Sequence, residues 1–212
     1  MEHWQRRVIV GFVLGLAQVA PVVARRLVAA GWIAVTALVV PLSLAAYSNN
    51  LQLSPELFNT AKARIIIWGY TAEQVLHKPL IGVGTNATGI IDQQRGTAKE
   101  RPAGYASAEE TRAHPHNFYL QVWYELGAVG AVLFGLAGLA VLAAIRRLPG
   151  TLHPIALAQF TMTAAMIGSS YGLWQTWLQA SIAFAIIALL MAMKLALPTQ
   201  SRHQISSAPG AT

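Results

Sequence analysis

At 212 residues with 11% charged side chains and a mean hydropathy of +0.47, the chain is too apolar for an ordinary soluble domain, where about a quarter of residues are charged. The absence of cysteine excludes a disulfide framework, a thiol nucleophile and a thiolate metal site. The net charge of +7 sits in short pairs beside hydrophobic runs, which is a topology signal and not the single basic face of a nucleic-acid binder.

Five hydrophobic runs follow one another at about 8–24, 27–47, 127–145, 155–173 and 177–197, each near the ~17–25 residues that cross a bilayer as helix. They predict an all-α integral membrane domain over residues 1–197, with about five transmembrane helices and a long, partly helical loop over 48–126. Arg6-Arg7 ahead of the first run suggests a signal peptide. No small-x-small cleavage site follows it, and Arg25-Arg26 abuts the second run, so the first run reads as a retained span. It contains Gly11-x-x-x-Gly15, either a close-packing pattern or the ordinary frequency of glycine in such helices. Pro21 lies near the end of the first run and Pro41 inside the second, breaks that neighbouring helices can tolerate.

Arg25-Arg26 joins runs one and two, and Arg146-Arg147 joins runs three and four. Both pairs belong on the cytoplasmic side, which puts the 48–126 loop outside and the C-terminus, with Lys194 and Arg202, inside. Arg6-Arg7 then falls outside, so further spans are expected to precede this sequence and fix its orientation.

The loop is electrically neutral, with seven bases against seven acids between Tyr47 and Leu126. Ser54-Pro55-Glu56 predicts a helix start, with Ser as N-cap, Pro at the first position and an acid in the first turn. That helix should run through Arg64, Trp68 and Val75 and stop before Pro79. Leu80-Ile81-Gly82-Val83-Gly84-Thr85-Asn86 reads as a tight glycine turn; it lacks the lysine and the following Ser/Thr of a phosphate loop. Gln93 to Arg112 is polar and charged. A second helix should start near Pro115 or Asn117 and continue into the third span, while the Ser/Gln/Pro-rich tail, 198–212, reads as disordered and cytoplasmic.

The candidate chemistry lies where the loop meets the third span, in His114-Pro115-His116-Asn117. On a helix, His116, Tyr119, Leu120, Trp123 and Gly127 would share one face. An imidazole there is either a base with a pKa near neutrality or a satisfied helix cap, and the residues alone leave both open. His114-x-His116 with Glu109 or Glu110 could also ligate a metal, but a zinc site needs three or four ligands at fixed spacing and none is defined here. Arg64 is either a snorkelling interface arginine or a clamp whose guanidinium fork matches diphosphate oxygens. Arg112 and Lys78 could share that task. Neither a serine nucleophile elbow nor an HExxH motif occurs.

In order along the chain stand two spans, Arg64-Ile65-Ile66-Ile67-Trp68, His77-Lys78-Pro79-Leu80-Ile81-Gly82-Val83-Gly84, His114-Pro115-His116-Asn117 with Leu120, then Glu125-Leu126-Gly127 and Gly130. This series resembles the C-terminal half of the O-antigen ligase and O-antigen polymerase superfamily of bacterial envelope proteins, over most of residues 6–197. The resemblance implies a membrane glycosyltransferase of the GT-C type, without metal or cofactor, acting on the periplasmic side of the inner membrane. Such enzymes move a glycan from an undecaprenyl-diphosphate carrier to an acceptor in lipopolysaccharide or surface polysaccharide biosynthesis. The acceptor is a lipid A core sugar in ligases, another carrier-linked repeat in polymerases and a protein hydroxyl in related enzymes. By motif position it carries the diphosphate-holding arginine to Arg64 and the essential loop histidine to His116, as the catalytic pair. Arg112, Asn117 and His114 join Arg64 as substrate-binding candidates.

Two departures qualify the likeness. Family members have more spans, and their N-terminal half adds part of the substrate cavity and another arginine. Met1-Glu2-His3-Trp4-Gln5 also stands in place of a polar Ser-Arg segment. A catalytically inactive membrane protein, an enzyme needing a companion subunit, and an anion transporter are therefore the competing readings.

Overall fold

The computed structural model describes residues 2–87, 115–148, 150, 152–168, 172 and 174–196, and among these every regular element is helical. Arg112, His114, Glu109 and Glu110 lie outside the described residues, as does the 198–212 tail.

Helix α1 spans Glu2–Val19 and α2 spans Pro21–Ser48. The first run therefore divides at Ala20, not after residue 24, because Pro21 has no N–H to continue α1 yet fits the first position of a new helix. Arg25-Arg26 accordingly sits early in α2 and not in a connection between spans. Gly11 and Gly15 face no neighbour within 4 Å; α1 packs through Val13 and Ala17.

After α2, Asn50 turns left-handed and a single 3-10 turn covers Leu51–Leu53. Helix α3 runs from Asn59 to His77, several residues later than the Ser54 start expected from sequence. Ser54 is engaged otherwise: its N–H closes the 3-10 turn on Leu51 O at 3.1 Å, and the carbonyl that receives the first α3 bonds is that of Phe58, from Ala61 N at 2.9 Å and Lys62 N at 3.0 Å. The end before Pro79 is as expected.

Helix α4 spans Phe118–Ile145, α5 spans His153–Ile167 and α6 spans Thr176–Ala196. Within the fourth run the helix ends at Ile167, with Gly168 as its C-cap; residues 169–171 and 173 of that run lie outside the described residues. Among the described residues two helices, α2 and α4, are long and apolar enough to cross a membrane; shorter apolar stretches occur at Val8–Val19 and Thr176–Ala188.

Two cores hold the bundle. The first joins α2, α3, α4, the end of α5 and the start of α6 around Trp32, Val40, Val75, Tyr119, Leu120 and Leu178. Trp32 is its centre, meeting Tyr119 edge-on at 5.5 Å, Phe134 at 4.8 Å and Phe160 at 5.2 Å, arrangements that stabilise beyond simple burial. Its indole N–H donates to Gly135 O at 3.0 Å, and that of Trp123 to Thr36 O at 2.7 Å, so α2 and α4 run antiparallel. The second core gathers α1, the start of α2, the end of α4 and the start of α5 around Val13, Ala24, Ile145 and Leu157. Arg25, Arg146, Arg147 and His153 flank this second core and define a basic end of the bundle. Phe12, Leu133 and Phe184 are each more than 60% exposed, an apolar exterior that water covers poorly.

Candidate functional site

At the opposite end from the basic pairs, α4 begins on a cap and then breaks. Asn117 is the N-cap: its Oδ1 accepts from Leu120 N at 3.2 Å, satisfying an amide that the first turn leaves free. His116 precedes that cap with φ 50°. It therefore lies outside the helix, half-buried, and does not share a helical face with Tyr119, Trp123 and Gly127. The reason is local, since an Asn N-cap with extended backbone puts the first helical residue, Phe118, two residues beyond His116.

Tyr119 and Trp123 are structural in this setting. The Tyr119 hydroxyl donates to Ala164 O at 2.9 Å, and Trp123 bonds α2 as described above.

The His116 segment is tied to α3. The indole N–H of Trp68 donates to Pro115 O at 2.7 Å, and α3 packs on α4. Arg64 lies one turn before Trp68 on the same helix, half-buried. The two helices run side by side in the same direction, because the chain after α3 meets α4 again further along. Arg64 thus lies toward the same end of the bundle as the start of α4. Lys78 is exposed at the other end of α3.

The second meeting is the glycine turn. At Gly127 (φ 64°, ψ −162°) α4 departs from helical geometry, which frees carbonyls before the break and amides after it. The turn fills both: Val83 N bonds Tyr124 O at 3.0 Å, Gly84 N bonds Glu125 O at 2.9 Å, Ala128 N bonds Pro79 O at 2.8 Å and Val129 N bonds Leu80 O at 3.1 Å. The backbones approach so closely that a Cβ on Gly82 would collide with the Glu125 carbonyl, and one on Gly127 with that of Leu80. The Pro-Leu-x-Gly-Val-Gly segment is therefore a plug for a helix break, in line with its reading as a turn and not a phosphate loop.

Sequence alone assigns no role to Glu125, the acid of the Glu125-Leu126-Gly127 stretch. It has no exposed surface, and its carboxylate accepts from Gln121 Nε2 at 2.8 Å, Asn86 N at 2.9 Å and Trp174 Nε1 at 2.5 Å. A lone acid beside an apolar span, one helical turn after a glutamine, was the available signal.

The sequence model of the family described as O-Antigen ligase matches residues 5–135. The chain belongs to that family. Among curated proteins, a Rickettsia conorii protein named "Putative polysaccharide ligase" is 26% identical over 64% of this chain and 33% of its own length. Similarly named proteins of Rickettsia typhi and Rickettsia prowazekii are 29% and 28% identical, each over 56% of this chain and 29% of their own. The chain thus spans about a third of the length of the curated relatives it matches. No solved structure matches it.

Proposed function

We propose that this chain carries the acceptor-activating and diphosphate-holding parts of a membrane glycan transferase in lipopolysaccharide or surface polysaccharide biosynthesis. The donor is an undecaprenyl-diphosphate-linked glycan, and the acceptor a sugar hydroxyl of the lipid A core. His116 takes the hydroxyl proton as the oxygen bonds to the anomeric carbon. The bond from that carbon to the diphosphate breaks, and Arg64 holds the departing anion with its guanidinium fork. Arg112, His114 and Asn117 complete the substrate contacts, with Asn117 acting through its cap because its Oδ1 is committed to Leu120 N. Five spans in a GT-C-like arrangement, with the 48–126 loop facing the periplasm of the inner membrane, complete the proposal.

The observation that supports it is the Trp68–Pro115 hydrogen bond, which holds the helix of Arg64 beside the segment of His116. Family membership and the names of the relatives agree with the class of reaction.

The test is glycan transfer in liposomes holding the full chain, the carrier-linked donor and either lipid A core or a second carrier-linked repeat. His116→Ala should lower transfer by about 10²–10⁴-fold, the usual worth of a positioned acid–base group. Arg64→Lys, which keeps the charge but loses the fork, should cost about tenfold. Undiminished transfer by folded His116→Ala removes the histidine from the reaction. Preference for the carrier-linked repeat would mark a polymerase. Failure of the wild type with both acceptors would favour a catalytically inactive chain or one needing a companion subunit, and adding the N-terminal spans of a relative separates those two.

A further inference from the structure

Glu125 is the sole charged residue of α4, and burial of a carboxylate is costly unless hydrogen bonds replace its lost water. Among the described residues three donors do so, and they come from three segments. Gln121 belongs to the first half of α4, Asn86 to the end of the glycine turn, and Trp174 to the chain leading into α6. The helix break does not depend on this carboxylate, because the turn already satisfies it through four main-chain bonds. What the side chain adds is a joint between the break, residue 86 and residue 174.

That joint leads back to the site. Gln121 N donates to Asn117 O at 2.9 Å, Asn117 caps the helix, and His116 is the next residue. The geometry points to Glu125 as a positioning residue for the His116–Arg64 pair. Its two oxygens fix the first half of α4, and with it the His116 segment, against the 79–87 turn and the chain entering α6. This assignment rests on the transferase reading above for its chemical consequence, but not for its structural content. Glu125 touches no reacting atom in it.

The experiment compares the wild-type full chain in nanodiscs with Glu125→Ala, Glu125→Gln and Trp174→Phe. Acylation of each histidine by diethyl pyrocarbonate is followed by mass spectrometry, beside transfer kinetics. In Glu125→Ala the acylation rate of His116 should change about threefold or more as the segment loosens locally, while exposed His77 keeps its wild-type rate. The kcat for transfer should fall about tenfold or more with KM for the donor unchanged, as misplacement of a reacting group does. Glu125→Gln should restore both. Its amide oxygen can serve Asn86 and Trp174, and Gln121 can turn its own carbonyl toward the new amide. Trp174→Phe removes one donor and keeps the carboxylate, so it should fall between wild type and Glu125→Ala even where Glu125→Ala fails to fold.

Unchanged His116 acylation in both Trp174→Phe and folded Glu125→Ala overturns the assignment, and so does an equal change at His77. A selective change at His116, in a protein whose transfer survives His116→Ala, would instead keep the joint and overturn the transferase role of the histidine.

Discussion

His153 begins α5 at the basic end of the bundle, buried, with an Nε2 that meets no hydrogen-bond partner among the described residues. Burial first, and the Arg25 charge second, hold its imidazole below the ordinary value of 6.5. The folded protein therefore favours neutral His153, whereas the unfolded chain takes up a proton near the ordinary value. The stability from this residue is complete above about pH 6.5 and declines as pH falls below it toward the folded value. Melting of the full chain in detergent should drop more between pH 7.5 and 5 for wild type than for His153→Gln; equal drops would exclude this residue as the source. Residue-scale features were unevenly legible. Arg64, His116 and Asn117 could be singled out from their types and order, but not that Asn117 would take the cap and leave His116 outside the helix. A capping bond competes with the next residue's claim to the same position, and only geometry decides between them. Trp68 stood only as a residue of the motif series, because a Trp N–H can reach any nearby carbonyl and sequence does not say which.

At the scale of elements, α4 depends on the turn that fills its break. Gly127 holds φ 64° and ψ −162°, a region left almost entirely to glycine, and any Cβ there would also meet the Leu80 carbonyl. Gly127→Ala should destabilise the protein by about 3 kcal/mol or more, since backbone strain of ~1–3 kcal/mol adds to displacement of the turn. Gly150→Ala, in open space, should be neutral. Amide exchange at Val83, Gly84, Ala128 and Val129 should quicken together in Gly127→Ala, because those four bonds form and break as one unit. Independent exchange of the four, or matching melts for the two variants, would contradict the plug. The helix–turn–helix order of this region was legible from periodicity and from Pro79, Gly82 and Gly84. The docking was not, because it pairs positions far apart in the chain. The Ser54 start also misled, since a good N-cap triplet can close a 3-10 turn just as well.

For the whole molecule, the two ends of the bundle differ in chemistry. Arg25, Arg146, Arg147 and His153 stand at one end, and His116, Arg64's helix and the glycine turn toward the other. In the orientation proposed above, the positive-inside rule would put the basic end in the cytoplasm. The lack of cysteine makes this directly measurable by single replacements. Leu53→Cys, 72% exposed beyond the end of α2, should react with a membrane-impermeant maleimide in intact cells. Gly150→Cys should react only after lysis, and the reverse pattern would invert the orientation. The hydrophobic runs made the all-helical class and the two long apolar helices legible from sequence, whereas the boundary between α1 and α2 was set by Pro21 and not by the limits of the apolar runs. The plugged break also bears on how the chain is made. Until residues 79–84 dock, the amides of Ala128 and Val129 and the carbonyls of Tyr124 and Glu125 have no partner, which hydrocarbon does not tolerate. In the five-span arrangement proposed above, insertion of α4 and docking of residues 79–84 would therefore be coupled steps.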